Sequence, residues 1–257
     1  MIGSSETADM ALPGSDIIDA NCLFGPWPRS HLDCSLRTVL RMLRNAGIDR
    51  ALIGSLRSAL HDHTAGNEEA LAACSTHQGL LPVAGLRLGR SLQPAPQVGT
   101  LRAEGFRVLR LFREYEAFPM DYAPLASALR GAAESDMPVI IAALDPGDIT
   151  ALGRLLRDIP CKTIVTGVNT SHTPLVAEAI AVGREVASIF FETSRLEGTD
   201  TIDVMARELG PGRLVFGTAM PHQYPSSALA LIDQCGLSDD DKTAVLGTNI
   251  LRITGSQ

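Results

Sequence analysis

The sequence predicts a single (β/α)8 barrel of the α/β class. Eight short, apolar, β-rich runs recur along its 257 residues, and helical patterns lie between most of them. Most of the runs are almost continuously hydrophobic, as strands are when helices cover both faces of a parallel sheet. Eight strand–helix units in a chain of this length favour a barrel over a doubly wound sheet.

The runs are 17–24, 51–55, 80–86, 106–112, 138–144, 163–168, 186–193 and 214–218. After the first, Leu36, Val39, Leu40 and Leu43 form a helical stripe with Arg37, Arg41 and Arg44 off it, and Gly47 supplies a stop. The third unit is the weakest. Gly89, Pro94, Pro96 and Gly99 make 85–100 read as a loop with little helix. After the fourth run, Leu125, Ala128, Leu129 and Ala132 restore the stripe. Thr173-Pro174 reads as a cap and first turn ahead of Val176, Ala179 and Ile180. Ile202, Met205, Ala206 and Leu209 end at Gly210, and Ser226 is the expected cap of a helix with Leu229 and Ile232. Ser238 with Asp239, Asp240 and Asp241 starts a last helix, where early acids suit the helix dipole.

Composition narrows the function classes. A formal charge of −7 without any Lys/Arg block disfavours a nucleic-acid surface. No stretch approaches the roughly 18 apolar residues of a membrane span. Cys22, Cys34, Cys74, Cys161 and Cys235 form no close pair, so they read as reduced thiols of a cytoplasmic protein. Residues 1–14 lack the basic and apolar regions of a signal peptide and read as a flexible tail, leaving 15–257 as one domain.

Several motifs, in order, resemble the amidohydrolase-related barrels, the branch with metal-dependent decarboxylases and lactone hydrolases. They are Asp19-Ala20-Asn21-Cys22-Leu23-Phe24-Gly25, Gly66-Asn67-Glu68-Glu69, Gly105–Leu111, Thr193–Gly198, Phe216-Gly217-Thr218-Ala219-Met220-Pro221 and Leu246–Ile253. The resemblance implies an amidohydrolase-like TIM barrel, a small-molecule substrate and a homodimer. In that family the first motif usually reads Asp-x-His-x-His-x-Gly and the last Phe-Gly-Ser-Asp-x-Pro, and these residues bind the catalytic metal. Here the positions hold Asn21, Leu23 and Ala219, and the histidines of the fifth and sixth strands fall near Ala142 and Gly167. A catalytic ion needs imidazoles and carboxylates converging with one position left open. The expected metal set is therefore none, with zinc in a rearranged site as the alternative.

In a barrel, chemistry sits at the carboxyl ends of the strands. His172 and His222 follow the sixth and eighth strands in separate loops, and histidine titrates near neutrality. Glu192 closes the seventh strand, where burial would raise its pKa. These three are the candidate catalytic residues. Asn21, Arg110, Tyr115 and Ser194 are the candidate substrate-binding residues, with the Arg110 guanidinium suited to a carboxylate. Period-two alternation puts Asp19 on the same side as Asn21 and one layer deeper, most simply as a structural carboxylate. Arg113 and Glu114 are expected in a solvated loop, Arg57, Arg87, His61 and His63 at the surface, and Cys22 against a helix. No nucleophile elbow, P-loop or dinucleotide fingerprint is present.

Three readings stay open. The first is a hydrolase or lyase acting on a carboxylate-bearing small molecule by metal-independent acid–base chemistry. The second is a catalytically silent barrel that binds a small molecule or a homologous partner. The third is a metal-dependent hydrolase whose site uses His172 or His222 with carboxylates.

Overall fold

The computed structural model describes residues 16–171 and 173–255. The strands are β1 (Ile18–Phe24), β2 (Arg50–Ser55), β3 (Leu80–Leu86), β4 (Val108–Leu111), β5 (Val139–Ala142), β6 (Thr163–Thr166), β7 (Ile189–Glu192) and β8 (Leu214–Val215). Each predicted run holds one of them, except that β2 begins one residue before its run. They pair in sequence order, all parallel, in an eight-stranded sheet. The ends meet where Ala20 N–H donates to the Phe216 carbonyl (3.0 Å) and Leu23 N–H to that of Met220 (2.9 Å). The (β/α)8 barrel is therefore nearly closed.

The helices are α1 (Leu36–Asn45), α2 (Leu56–Leu60), α3 (His63–Thr76), α4 (Pro94–Ala103), α5 (Arg113–Glu116), α6 (Ala123–Glu134) and α7 (Asp148–Asp158). They continue with α8 (Thr173–Glu185), α9 (Thr201–Leu209), α10 (Pro225–Gln234), α11 (Asp239–Thr243) and α12 (Asn249–Thr254). None among the described residues is long and apolar enough to cross a membrane.

Strand alternation sorts the core into two layers. Leu52, Val83, Val108, Ile140, Ile164, Phe190 and Val215 form an inner cluster with Ile18 and Ala20, and Ile250 and Ile253 of α12 close it. Ile53, Leu109, Leu111, Val139, Ile141, Val165 and Phe191 pack outward against the helices. Because both layers are apolar, the strands read as unbroken hydrophobic runs.

The structure corrects three expectations. The third unit does contain a helix, α4. Pro94 and Pro96 lie in its first turn, where backbone N–H groups have no intrahelical acceptor to lose. A methyl group at Gly131 of α6 would stand 2.6 Å from the Ala95 backbone, so this helix pair packs almost backbone to backbone. Ser226 is not a cap; α10 starts at Pro225 after Tyr224, with no side-chain cap. Finally, β1 does not keep strict alternation. Its register with β2 shifts between Asp19 and Cys22, the mark of a bulge. Asp19 therefore does not sit one layer beneath Asn21. Its carboxylate joins β1 to β8, accepting from Asn21 N–H (2.8 Å), Thr218 N–H (3.0 Å) and the Thr218 hydroxyl.

Other local readings hold. Ser238 accepts from Asp241 N–H as the α11 cap. Gly47, at φ 70°, lets the chain leave α1, with Ile48 N–H bonded to the Leu43 carbonyl.

Candidate active site

A cavity of about 340 Å³ opens at the carboxyl ends of the strands. Asn21 and Leu23 of β1, Arg110 of β4, Glu114 and Tyr115 of α5, and Ala142 of β5 line it. Thr166, Gly167 and Asn169 follow from β6, Ser194 and Arg195 from beyond β7, and Ala219, Met220 and His222 from beyond β8. The ends of β2 and β3 do not contribute. On that side Leu23, Cys34, Leu56, Ala59 and Phe112 fill the mouth with a small apolar cluster.

Asn21 is the hub. Its Oδ1 accepts from Arg110 Nη1 at 2.6 Å and its Nδ2 donates to Glu192 Oε2 at 3.1 Å. The bulge in β1 turns this side chain, rather than Asp19, toward the cavity. One amide thereby links β4, β1 and β7.

Glu192 is fully buried behind Asn21 and Ser194, both of which line the cavity. It accepts from Ser194 N–H (2.6 Å) and the Ser194 hydroxyl (2.8 Å). Burial dominates these bonds and raises its pKa to about 7. Gly217 leaves room for it: a Cβ there would collide with the Glu192 carboxyl group. Burial also raises the pKa of Asp19, against the lowering effect of its Thr218 bonds.

Arg110 is 7% exposed. Besides Asn21 it donates to Glu114 Oε1 at 3.0 Å, and its guanidinium lies over the Phe112 ring. Glu114 is thus not a solvated loop residue, and neither is Arg113. Arg113 is buried and makes two bonds to Asp148 (2.8 and 2.9 Å) and one to the Phe118 carbonyl (2.9 Å). Asp148, 35 residues away at the start of α7, also accepts from Leu144 and Asp145 N–H, so this pair pins α5 to the loop after β5. Sequence spacing gives no hint of such a partner.

His222 stands partly exposed at the rim. Its ring meets Trp27 edge-on at 4.5 Å, and Trp27 contacts Tyr115 at 6.0 Å. Arg29 lies 5.6 Å from both the Trp27 and Tyr115 rings. Desolvation lowers the His222 pKa, and the nearby Arg110 charge lowers it further. Imidazole is therefore the favoured form near neutral pH.

The structure thus brings Asn21, Arg110, Tyr115, Ser194 and His222 onto one cavity wall, with Glu192 directly behind it. His172 lies outside the described residues. Arg57, Arg87, His61 and His63 do not line the cavity; Arg57 pairs with Glu69. Cys22 packs in the outer core layer, where burial raises its pKa well above the ordinary thiol value. Sequence reasoning missed Trp27, Thr166 and Asn169. Trp27 follows Gly25, whose φ of 118° turns the chain out of β1, and that turn was its available signal.

The described residues do not fit the divalent metal of similar barrels. Leu23, Ala142, Gly167 and Ala219 line the cavity without a donor side chain. At Gly167 the backbone itself excludes one, since φ is 82° and a Cβ would stand 2.7 Å from the Ala143 carbonyl oxygen. Among the described residues no three His, Cys, Asp or Glu side chains gather as a metal site would require.

The fold recurs in solved structures. The 2,6-dihydroxybenzoate decarboxylase complexed with 2,6-dihydroxybenzoate is similar with a TM-score of 0.75 at 13% identity, over 94% of this chain and 99% of that one. A protein described as a 2-pyrone-4,6-dicarboxylic acid hydrolase, from Pseudomonas putida, gives 0.74 at 17%, over 93% and 97%. The 5-carboxyvanillate decarboxylase of Novosphingobium aromaticivorans, with bound manganese, gives 0.72 at 14%, over 94% and 97%. At such identities the likeness speaks for the fold. None of the curated protein sequences matches. The amidohydrolase family model, however, matches residues 87–255. The chain is a member of the amidohydrolase family, with the TIM-barrel fold of that family and, among the described residues, no cluster of metal donors around its cavity.

Proposed function

We propose that the protein acts on a small, carboxylate-bearing molecule by metal-independent acid–base chemistry of the hydrolase or lyase type. One observation carries this reading: Arg110, Arg195 and His222 share the wall of one cavity, and a carboxyl group with a pKa near neutrality sits behind that wall. Two guanidiniums suit a carboxylate. The cavity volume falls in the range of small-molecule sites. The pyrone, vanillate and dihydroxybenzoate named for the similar structures are all of carboxylate-bearing type.

In this scheme Arg110 and Arg195 hold the substrate carboxylate. Unprotonated His222 takes a proton at the mouth, from attacking water in the hydrolytic case. Glu192 does not touch the cavity; in its protonated form it gives its proton to Ser194 Oγ as the Ser194 hydroxyl passes its own to the substrate's leaving group, and it keeps Asn21 oriented. His172, six residues after β6 in the sequence, is assigned the second acid–base role. Leu23, Ala142, Gly167 and Ala219 support the metal-independent form of the reaction.

The test is a turnover and binding panel of 2-pyrone-4,6-dicarboxylate, 2,6-dihydroxybenzoate and 5-carboxyvanillate, run with and without a chelator. Binding that weakens in Arg195→Ala, with turnover indifferent to chelation, is expected. Turnover that vanishes with chelation and returns with zinc would overturn the metal-independent scheme in favour of a rearranged site.

A second reading has its own support. Asn21, Arg110, Glu114 and Glu192 are already bonded to one another. A silent barrel that holds a ligand, or pairs with a homologous partner or a second copy, needs no more than this. Binding without turnover across the panel would favour it.

A further inference from the structure

Among the described residues, three buried side-chain polar atoms have no hydrogen-bond partner: Arg87 Nε, Thr193 Oγ1 and Glu114 Oε2. Of these three residues only Glu114 lines the cavity. Its carboxylate is divided in function. Oε1 accepts from Arg110 Nη2 at 3.0 Å, which fixes the group, while Oε2 receives no donor from any described residue. The backbone beneath it is also fixed, because the neighbouring Arg113 is clamped to Asp148. A buried acceptor without a donor is unfavourable; Oε2 is closed off from water although the Glu114 side chain reaches the cavity, so a bound molecule that shifts the cavity wall enough to supply the donor recovers that cost.

We propose that Glu114 is a ligand-recognition residue: its Oε2 accepts a hydrogen bond from an O–H or N–H group of the bound molecule. This rests on the reading of the cavity as an anion site and sharpens it. The cavity selects an anion that carries a hydrogen-bond donor, over an anion of the same shape whose corresponding group only accepts. The charges agree with this assignment. Glu114 offsets part of the Arg110 charge, and Arg195, whose Glu197 contact is a loose 3.8 Å, is the less committed of the two cations that hold the ligand's own anionic group.

The experiment uses calorimetric binding of benzoate and of matched hydroxy- and methoxybenzoates, substituted at each ring position, to the full chain. For at least one position the hydroxy compound should bind about tenfold tighter than its methoxy partner, the factor expected when one buried acceptor gains or loses its donor. Glu114→Gln can keep the bond to Arg110 through its oxygen while placing an N–H2 where Oε2 was. It should abolish or reverse the preference. Glu114→Asp, which withdraws the acceptor by one methylene, should weaken it. Hydroxy and methoxy affinities within about twofold at every position in the unaltered protein would overturn the proposal. So would a preference that survives in both variants. If benzoates bind, lose affinity in Arg195→Ala, yet show no such preference, the Glu114 assignment alone fails. If no carboxylate binds at all, the anion-site reading fails and takes this inference with it.

Discussion

Asn21 donates through Nδ2 to Glu192 Oε2 at 3.1 Å, across the mouth of the barrel from β1 to β7. The bond joins the position where a histidine would stand in similar barrels to a fully buried carboxyl group whose pKa burial raises to about 7. It holds a buried acid in place with a neutral amide. The consequences for charge and stability can be measured.

Glu192 should make stability fall with rising pH. Its folded pKa, about 7, lies above the 4.5 of an unperturbed glutamate. Between those values the folded state holds a proton that the unfolded chain has released, so unfolding becomes easier as pH rises through the window and levels off above it. The full difference is on the order of 3 kcal/mol. His222, whose pKa is lowered, contributes the opposite slope below its usual 6.5. Urea unfolding from pH 5 to 8 should therefore show this falling component in the difference between the unaltered protein and Glu192→Gln. Parallel profiles for the two proteins would contradict the assignment.

His222 should titrate below the ordinary histidine range, and more normally once Arg110 is uncharged. Burial and the Arg110 cation both favour imidazole here. In Arg110→Met the histidine pKa, followed by NMR of its ring protons, should rise relative to the unaltered protein. An unchanged midpoint would mean that desolvation alone sets it.

The β1–β8 seam should depend on Asp19. Asp19→Ala leaves Asn21 N–H, Thr218 N–H and the Thr218 hydroxyl without their acceptor in a fully buried place. A loss of about 2–4 kcal/mol in chemical denaturation is expected, against about 1–2 for Thr218→Val, which removes one donor to Asp19 and the acceptor of Met220 N–H. Equal, small losses would argue that the seam is held by backbone bonds alone.

The Arg113–Asp148 clamp should matter for the fold. Arg113→Met leaves a buried carboxylate that keeps only its two backbone donors. Breaking one side of such a pair costs about 3–5 kcal/mol. Guanidinium unfolding would read this directly. The double variant Arg113→Met with Asp148→Asn should recover part of the loss, since it also removes the stranded charge.

Much of this molecule was legible from its order of residues. The eight apolar runs gave eight strands because a parallel sheet sandwiched between two apolar layers must be hydrophobic on both faces. The cavity-facing Asn21, Leu23, Ala142, Gly167 and Ala219 were legible because they fall at the ends of those strands. Local exceptions escaped. Pro94, Pro96 and Gly99 disguised α4, although prolines in a first turn break no helical bond. Period-two alternation placed Asp19 beneath Asn21, and a one-residue bulge undid it.

The sequence by itself determined the barrel, the family and the lack of donors at the expected metal positions, because these depend on periodicity and on residue identity at recurrent points. Only the tertiary structure decided which polar groups meet. Arg113 found Asp148, Arg110 found Asn21 and Glu114, and Glu192 withdrew behind Ser194. The Arg113–Asp148 and Arg110–Asn21 pairs join separate strand ends and loops, so their geometry depends on barrel closure and strand register. Desolvation, which governs the protonation of Glu192 and His222, exists only once the surrounding chain has folded around them.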